Sequence, residues 1–493
     1  MIYVTLKRYA VIYKVILIYK MKTKLQVYII TFVQFFLFTC NKHPHSNSIK
    51  FDSNPMDKLL NEHVENGDYP FLYARIENVE GKILYEHSVI NKDLLPGLNV
   101  DENSWIRIWS MSKIVTISIL MDLVEDNLVS LDEPVSKYIP EFENLKVAVS
   151  SDGKSLSVFT QPDTYSNAEE NQMAAACPMT LVEPDSIMQI RHLINHRAGF
   201  YYANTKIPCL DSISIEEDIT TVPNSDSLIA VLARMPLIHH PGERYHYGLN
   251  TTVLGLVAER VANRSLEELV KERITIPCKI NQFQYKVPNE VKLIPPVTGR
   301  DGYLRRANKG ELDIMGKNVP QYNLQQKLYL GGEGMISSAD GYADFLRLWL
   351  KGGILNGHRF LNESTIEKMI TSVDKKDGYG TSTKYNLYIT GDSTLTQGKG
   401  DRGLWQGGGY EGTSFWMDPK RDFVGLLFTQ VNQSPDHIGL GSGLYDKFRG
   451  LLYEQIISYE VPSSTEWRLS NKYTLNLHQI WTQKRYTTSL ESL

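Results

Sequence analysis

Behind the tetrapeptide Ser110-Met111-Ser112-Lys113, apolar residues recur at Ile114, Ile117, Leu120, Met121 and Val124. That is the repeat of an α-helix, and it places a hydroxyl and an amine three residues apart, on one face of the first turn. Ahead of it, "FLYARIENVEGKILYEHS" is two alternating apolar segments around Glu80-Gly81, which predicts strand, turn and strand. A hairpin followed by a long apolar helix is therefore the first commitment of this chain.

The spelling S-x-x-K also occurs at Ser151 (SDGK) and Ser372 (SVDK). Context separates the three. Ser151 falls in the polar stretch 143–187, which lacks sustained periodicity and is expected to be a long surface loop. Ser372 leads into a turn, "TSVDKKDGYG". Only Ser110 opens a long apolar helix. Further helical patterns cover 184–196, 225–235, 250–264, 338–351 and 440–458, and "SFWMDPKRDFVGLLFTQ" reads as turn and strand.

At 493 residues, 42% of them hydrophobic and 22% charged, the chain has ample material for a buried core. A net charge of -4 without a basic stripe argues against nucleic acid as a partner, because phosphate binding needs clustered Lys and Arg. Small molecules or peptides remain. There is no C-x-x-C and no H-E-x-x-H, so the familiar zinc spacings are absent and no cofactor is expected. The one H-x-H, His43 and His45, falls in a polar linker.

Residues 21–42, "MKTKLQVYIITFVQFFLFTCNK", show two lysines, a short apolar stretch and then Cys40. This is an export pattern, with Met21 as an alternative beginning. "LFTC" resembles a bacterial lipoprotein processing site, at which Cys40 becomes the lipidated residue; an uncleaved membrane anchor is the other reading. Either exports the rest of the chain to the cell envelope. In an oxidising compartment Cys177 and Cys209 could pair, while Cys278 in "ITIPCKI" looks like a small buried hydrophobe. Residues 41–55 are expected to be a tether, 56–458 the folded body and 459–493 a polar tail.

A serine hydroxyl is a poor nucleophile until a base takes its proton. Lys113 can approach Ser110, backbone N–H groups at a helix start favour developing negative charge, and burial lowers a lysine's pKa enough to free an amine as base. A capping serine beside a solvated lysine explains the same spelling, so other features must decide. One is Tyr247, in "HHPGERYHYGLNTTVLGLVAERV", just ahead of a helical pattern where a loop can project its phenol. Taken alone it reads as a packing aromatic. Another is "LWQGGGYEGTSFWMDP", residues 404–419, whose glycines before a strand let a substrate approach the backbone.

"SMSK", "YGL" and "QGG", in that order, resemble the three motifs of the serine beta-lactamase and penicillin-binding-protein superfamily, closest to class C beta-lactamases and beta-lactamase-like esterases. The likeness continues in "LVEDNLVSLDEPVSKYIPEF", "QIRHLINHRAGF" and "LGGEGMISSADGYADFLRLWLKGG", and covers roughly 57–458. It implies a mixed α/β body, an antiparallel sheet flanked by helices, with a mainly helical subdomain inserted over about 143–330. It implies Ser110 as acylated nucleophile, Lys113 as its deprotonating partner and Tyr247 as the second proton-transfer group. The amides of Ser110 and Gly409 would form the oxyanion hole, with Leu249, Gln406, Gly407 and Gly408 against the substrate.

Two departures bear on substrate. Leu249 stands where lactamases of this class usually carry an amide-binding asparagine, and Gln406 where a lysine or histidine is usual. Both favour neutral esters, with weak beta-lactam hydrolysis as a side activity. A beta-lactamase, a cell-wall D-amino-acid peptidase, and a binding protein that kept the site without turnover are the alternatives.

Overall fold

The computed structural model describes residues 51–160, 167–311, 320, 322–432 and 443–460. The export segment with Cys40, most of the expected tether and most of the expected tail lie outside these residues. The described residues fall in one compact unit of the chain.

Helix α1 (Asn54–Glu65) begins slightly before the expected start of the folded body, because Pro55 suits a first helical turn, where its missing N–H costs nothing. Strands β1 (Phe71–Asn78) and β2 (Ile83–Ile90) form the expected hairpin, with Gly81 at φ 86° in its turn. β1 is almost wholly buried and β2 alternates, as a central strand and an edge strand should. Late in the chain come β3 (Val373–Lys376), β4 (Gly380–Thr383), β5 (Tyr388–Thr390), β6 (Trp405–Gly408), β7 (Ser414–Asp418) and β8 (Phe423–Phe428). All pair antiparallel in one eight-stranded sheet, ordered β3-β4-β5-β6-β7-β8-β1-β2. The join is β1 on β8, from Tyr73↔Phe428 to Asn78↔Phe423, so the hairpin and the last strands close around everything between them.

Helices α2 (Ser112–Glu125), α3 (Asn250–Ala262), α4 (Ala339–Leu350) and α5 (Gly443–Glu460) complete the frame. Neighbours on a strand point to opposite faces, and β7 shows which helix covers which face. The Phe415 ring lies 5.5 Å from Tyr342 of α4, while Trp416 lies 5.9 Å from Tyr445 of α5. α4 and α5 therefore cover opposite faces. α2 is buried on every side from Ser112 to Leu123 and packs on α3, and the Tyr342 hydroxyl donates to the Met111 carbonyl at 3.1 Å. The serine-bearing turn thus lies on the α4 side. Burying a side chain such as Ile117 contributes about 1.5–3 kcal/mol, so the apolar residues of this run hold it in the core.

The sequence expectations need four adjustments. The 143–187 stretch is not wholly a surface loop: Val147–Val149 is a buried strand paired with Thr180–Val182, a segment too short to show a period. Of the helix expected at 184–196, only Ile190–Ile194 forms. α5 runs to Glu460, past the expected boundary of the tail. Ser110 does not open the long helix itself but sits in a tight turn, Trp109–Met111, immediately before it. Elsewhere the regular structure of this stretch is mostly helix separated by loops, with Pro208–Glu217, Ser225–Leu232 and α3 as its longer helices beside Asn167–Ala175. Cys177 and Cys209 are disulfide-bonded, with Cα atoms 6.2 Å apart, and Cys278 is a buried free thiol.

Candidate active site

The turn carrying Ser110 is held from behind. Trp109 has φ 45°, a left-handed conformation that costs a non-glycine residue about 1–3 kcal/mol and persists only when its surroundings enforce it. Its indole N–H donates to Glu411 Oε2 at 2.7 Å. Glu411 is fully buried and also accepts from Arg107 (Nε 2.8 Å, Nη2 3.1 Å) and from Gln430 (2.7 Å). A single carboxylate in the hairpin loop after β6 thereby fixes the residue before the serine.

One helical turn on, the Lys113 side chain is fully buried. Its ammonium lies 3.1 Å from Ser110 Oγ, 3.0 Å from the Tyr202 oxygen, 3.0 Å from the Gly332 carbonyl and 3.3 Å from Glu333 Oε1. Tyr202 and Thr252 both donate to Glu333, one to each carboxylate oxygen. Burial by itself pushes Lys113 down, but the Tyr247 oxygen and the Glu333 carboxylate beside it prevail and hold its pKa above the ordinary lysine value. The expectation of an amine freed by burial is corrected: Tyr247 and then Glu333 outweigh the burial. Tyr202, buried against Glu333, is pushed well above the usual phenol range and stays protonated.

Tyr247 arrives from the loop before α3. Its hydroxyl donates to Ser110 Oγ at 2.8 Å, and its ring lies 4.9 Å from Lys113 Nζ. The ring stacks on His196 at 4.6 Å between centroids. Burial, then Lys113, keeps His196 well below its ordinary pKa, so it is a neutral platform. Asn250 clamps the loop: its Oδ1 accepts from Ala198 N (3.2 Å) and its Nδ2 donates to Phe200 O (3.1 Å). Gly248 has to be glycine, because a Cβ there would lie 2.2 Å from Phe200 O. Ser110 and Tyr247 are half-buried whereas Lys113 is sealed off, so the accessible side of the triad is the hydroxyl pair.

The third motif is placed differently from expectation. The Gly409 amide donates to Thr413 O at 2.7 Å, closing the hairpin into β7. Amides alternate sides along a strand, so it is Gly408 whose N–H faces the opposite edge, beyond the last β5 pair at Tyr388↔Gln406. The strand end still abuts the serine turn, since a Cβ at Gly409 would lie 2.5 Å from Ile108 O. Gln406 accepts from Arg449 of α5. Its side chain therefore lies on the α5 face, away from Ser110, and cannot line a substrate there. Trp405 and Gly407 belong to the other face, where Gly407 packs so closely on Phe415 that a Cβ would lie 2.8 Å from its ring. Leu249, 1% exposed, is a packing residue at the start of α3.

The competing S-x-x-K serines are unsuited. Ser151 is exposed, and Ser372 caps the end of the helix Glu363–Thr371. Glu333, Tyr202, Thr252 and Glu411 were not singled out from sequence, although a glutamate between glycines in "LGGEGM" and another in "GGGYEG" were the available signals. Together the groups form a serine within reach of a phenol and an ammonium, an arrangement able to pass a proton and accept an acyl group.

A family model described as Beta-lactamase matches residues 76–441. Protein Rv1367c of Mycobacterium tuberculosis is 25% identical over 367 residues, covering 71% of this chain and 83% of the relative. Esterase EstB of Burkholderia gladioli is 23% identical over 372 residues, with the same shares of 71% and 83%. Among solved structures, "EstCE1, a hydrolase with promiscuous acyltransferase activity" superposes with a TM-score of 0.63 at 18% identity, covering 81% of this chain and 98% of that one.

Proposed function

This chain belongs to the beta-lactamase family, a fold of serine hydrolases and acyltransferases, and from that premise we propose that it hydrolyses a neutral carboxylic ester through an acyl-enzyme on Ser110. The observation that carries the reading is the convergence on Ser110 Oγ of Tyr247 at 2.8 Å and Lys113 at 3.1 Å. Ser110 attacks the ester carbonyl, Tyr247 exchanges the proton with the leaving alkoxide, and the amides of Ser110 and Gly408 receive the oxyanion. Removing one such donor typically costs about 100–1,000-fold in rate. Water then releases the acid. An alcohol in place of water makes the same site an acyltransferase, an activity that EstCE1 is described as having.

Ester is favoured over lactam because Leu249 is buried hydrocarbon where an amide contact is wanted. Neutral substrates are favoured because Trp405, not a cation, lies on the Ser110 face of β6. We also propose export and lipid anchoring at Cys40, on the sequence pattern of residues 21–42. The Cys177–Cys209 disulfide supports an oxidising compartment.

The test is intact-protein mass spectrometry after exposure to an aryl phosphonate, together with turnover of a short-chain chromogenic ester. An adduct and turnover that both vanish in Ser110→Ala support the reading. Hydrolysis that survives Ser110→Ala overturns it, and an adduct without turnover points instead to a binding protein.

A further inference from the structure

Glu333 is 2% exposed and lies two residues beyond Gly331, whose carbonyl accepts from the Thr116 hydroxyl of α2 at 2.6 Å. The segment is thus pinned to the helix that carries Lys113. A carboxylate at such depth is costly unless every lone pair is met and a positive charge is close. Here Oε1 accepts from Lys113 and Tyr202 while Oε2 accepts from Thr252, donors supplied by three separate parts of the chain. Gly332 closes the same side, since a Cβ there would lie 3.0 Å from Thr252 Oγ1 and 3.3 Å from Lys113 Nζ. A purely structural ion pair would leave the ammonium facing only the carboxylate. Instead Lys113 divides its three protons among four acceptors, one of them Ser110 Oγ at 3.1 Å.

We propose that Glu333 is a positioning residue for acyl transfer: it holds Lys113 as an ammonium aimed at Ser110 and so leaves Tyr247 to take the serine proton. The inference rests on the acyl-enzyme reading above. Tyr247, which donates to Ser110 Oγ at 2.8 Å in the resting site, first releases its hydroxyl proton to solvent; in the forward step the Ser110 proton passes to the resulting phenolate, and Oγ bonds to the ester carbonyl carbon. The carbonyl electron pair moves onto its oxygen. Collapse breaks the bond to the alkoxide, which leaves with the proton from Tyr247. Water repeats the sequence on the acyl-enzyme, giving the acid and restoring Ser110. Lys113 and Glu333 keep their charges throughout, one favouring the phenolate and the other preventing loss of the lysine proton.

The groups facing Lys113 are Glu333 from its glycine-rich segment, Tyr202 and His196 from the loop region 196–202, and Tyr247 from the loop before α3. Those facing Glu333 are Lys113, Tyr202 and Thr252, with Tyr285 and Tyr322 farther off. His196 stays neutral, so a change in pH dependence on altering Glu333 reports Lys113.

The experiment compares full-length wild type, Glu333→Gln, Glu333→Asp and Ser110→Ala on a short-chain chromogenic ester from pH 5 to about pH 11, or the highest pH at which folding holds, with thermal melts as the folding check. Expected for Glu333→Gln is a kcat loss of about 100-fold with KM within about threefold. The alkaline limb of its kcat/KM profile moves at least about one pH unit lower, because an unpaired buried ammonium gives up its proton more readily. Glu333→Asp recovers part of the rate and shows a smaller move of the same limb. A folded Glu333→Gln with wild-type kcat and profile overturns the inference. Should Glu333→Gln not fold, Glu333→Asp decides: a shifted limb supports the inference and an unshifted one overturns it. Hydrolysis persisting in Ser110→Ala removes the acyl-enzyme reading and this inference with it, whereas an inactive Ser110→Ala beside an unshifted Glu333→Gln defeats this inference alone.

Discussion

Tyr247 and Ser110, 137 positions apart in the chain, share a 2.8 Å hydrogen bond between their hydroxyl oxygens. The phenol is backed by the neutral His196 ring and the serine by a turn whose φ is held positive at Trp109. Tyr247→Phe keeps the stacked ring and removes only the hydroxyl. Its kcat on a chromogenic ester is expected to fall about 10²–10⁴-fold, while melting shows a stability change of no more than about 1 kcal/mol.

Gly409 is the point where the third motif touches the serine turn. A methyl group there meets Thr413 Oγ1 at 2.2 Å and Ile108 O at 2.5 Å, and the second of these is backbone. Gly409→Ala is therefore expected to push β6 away from the turn and to lower kcat/KM at least about tenfold. Wild-type kinetics from this variant would show that the strand end does not contribute to the site.

Glu411 neutralises Arg107 in the interior and restrains Trp109. Glu411→Ala strands a buried guanidinium, and denaturant unfolding should register a loss of about 3–5 kcal/mol. Glu411→Gln keeps part of the hydrogen bonding and should retain more stability than Glu411→Ala, yet still lose activity as Trp109 relaxes.

Glu259 on α3 accepts from the Leu266 amide at 2.7 Å, and burial pushes its carboxyl up to about 7. In the unfolded chain a glutamate titrates near ~4.3. The folded pKa being the higher, the folded state gains by holding the proton, and that gain is lost as pH rises from about 4 through about 7. Glu259→Gln removes the titration and can accept the same amide. It should be more stable than wild type by about 1–3 kcal/mol at pH 8, with the difference vanishing near pH 4 in melts across that range.

The disulfide Cys177–Cys209 spans a sequence separation of 32 and ties the segment after Asn167–Ala175 to the helix Pro208–Glu217. Closing a loop of that size contributes about 3–4 kcal/mol through the unfolded state. Cys177→Ser with Cys209→Ser, or reduction of wild type, should lower the melting temperature accordingly. An unchanged melt would mean the bridge does not constrain the unfolded chain.

Several elements were legible because the information is local. The hairpin around Gly81 showed in alternation, α2 and α3 showed in helical spacing, and Ser110 stood out from Ser151 and Ser372 by the apolar run behind it. The buried strand Val147–Val149 was not legible, since three residues carry no period. The third motif was found, but the roles expected of Gln406 and the Gly409 amide were not those the pairing gives: the letters give the glycines, while only the register of Gln406 with Trp416 tells which face each side chain takes.

By itself, then, the sequence determined the longer periodic segments, the first hairpin and the helices α2 and α3 among them, and the family to which the chain belongs, because periodicity and ordered motifs are written along the chain. The charge on Lys113, the engaged amide of Gly409 and the turned-away Gln406 were decided only in three dimensions. Each depends on a partner far off in sequence, Glu333 lying 220 residues from Lys113. A proton's preference is set by the charges and burial around it, and those exist only once distant segments have packed.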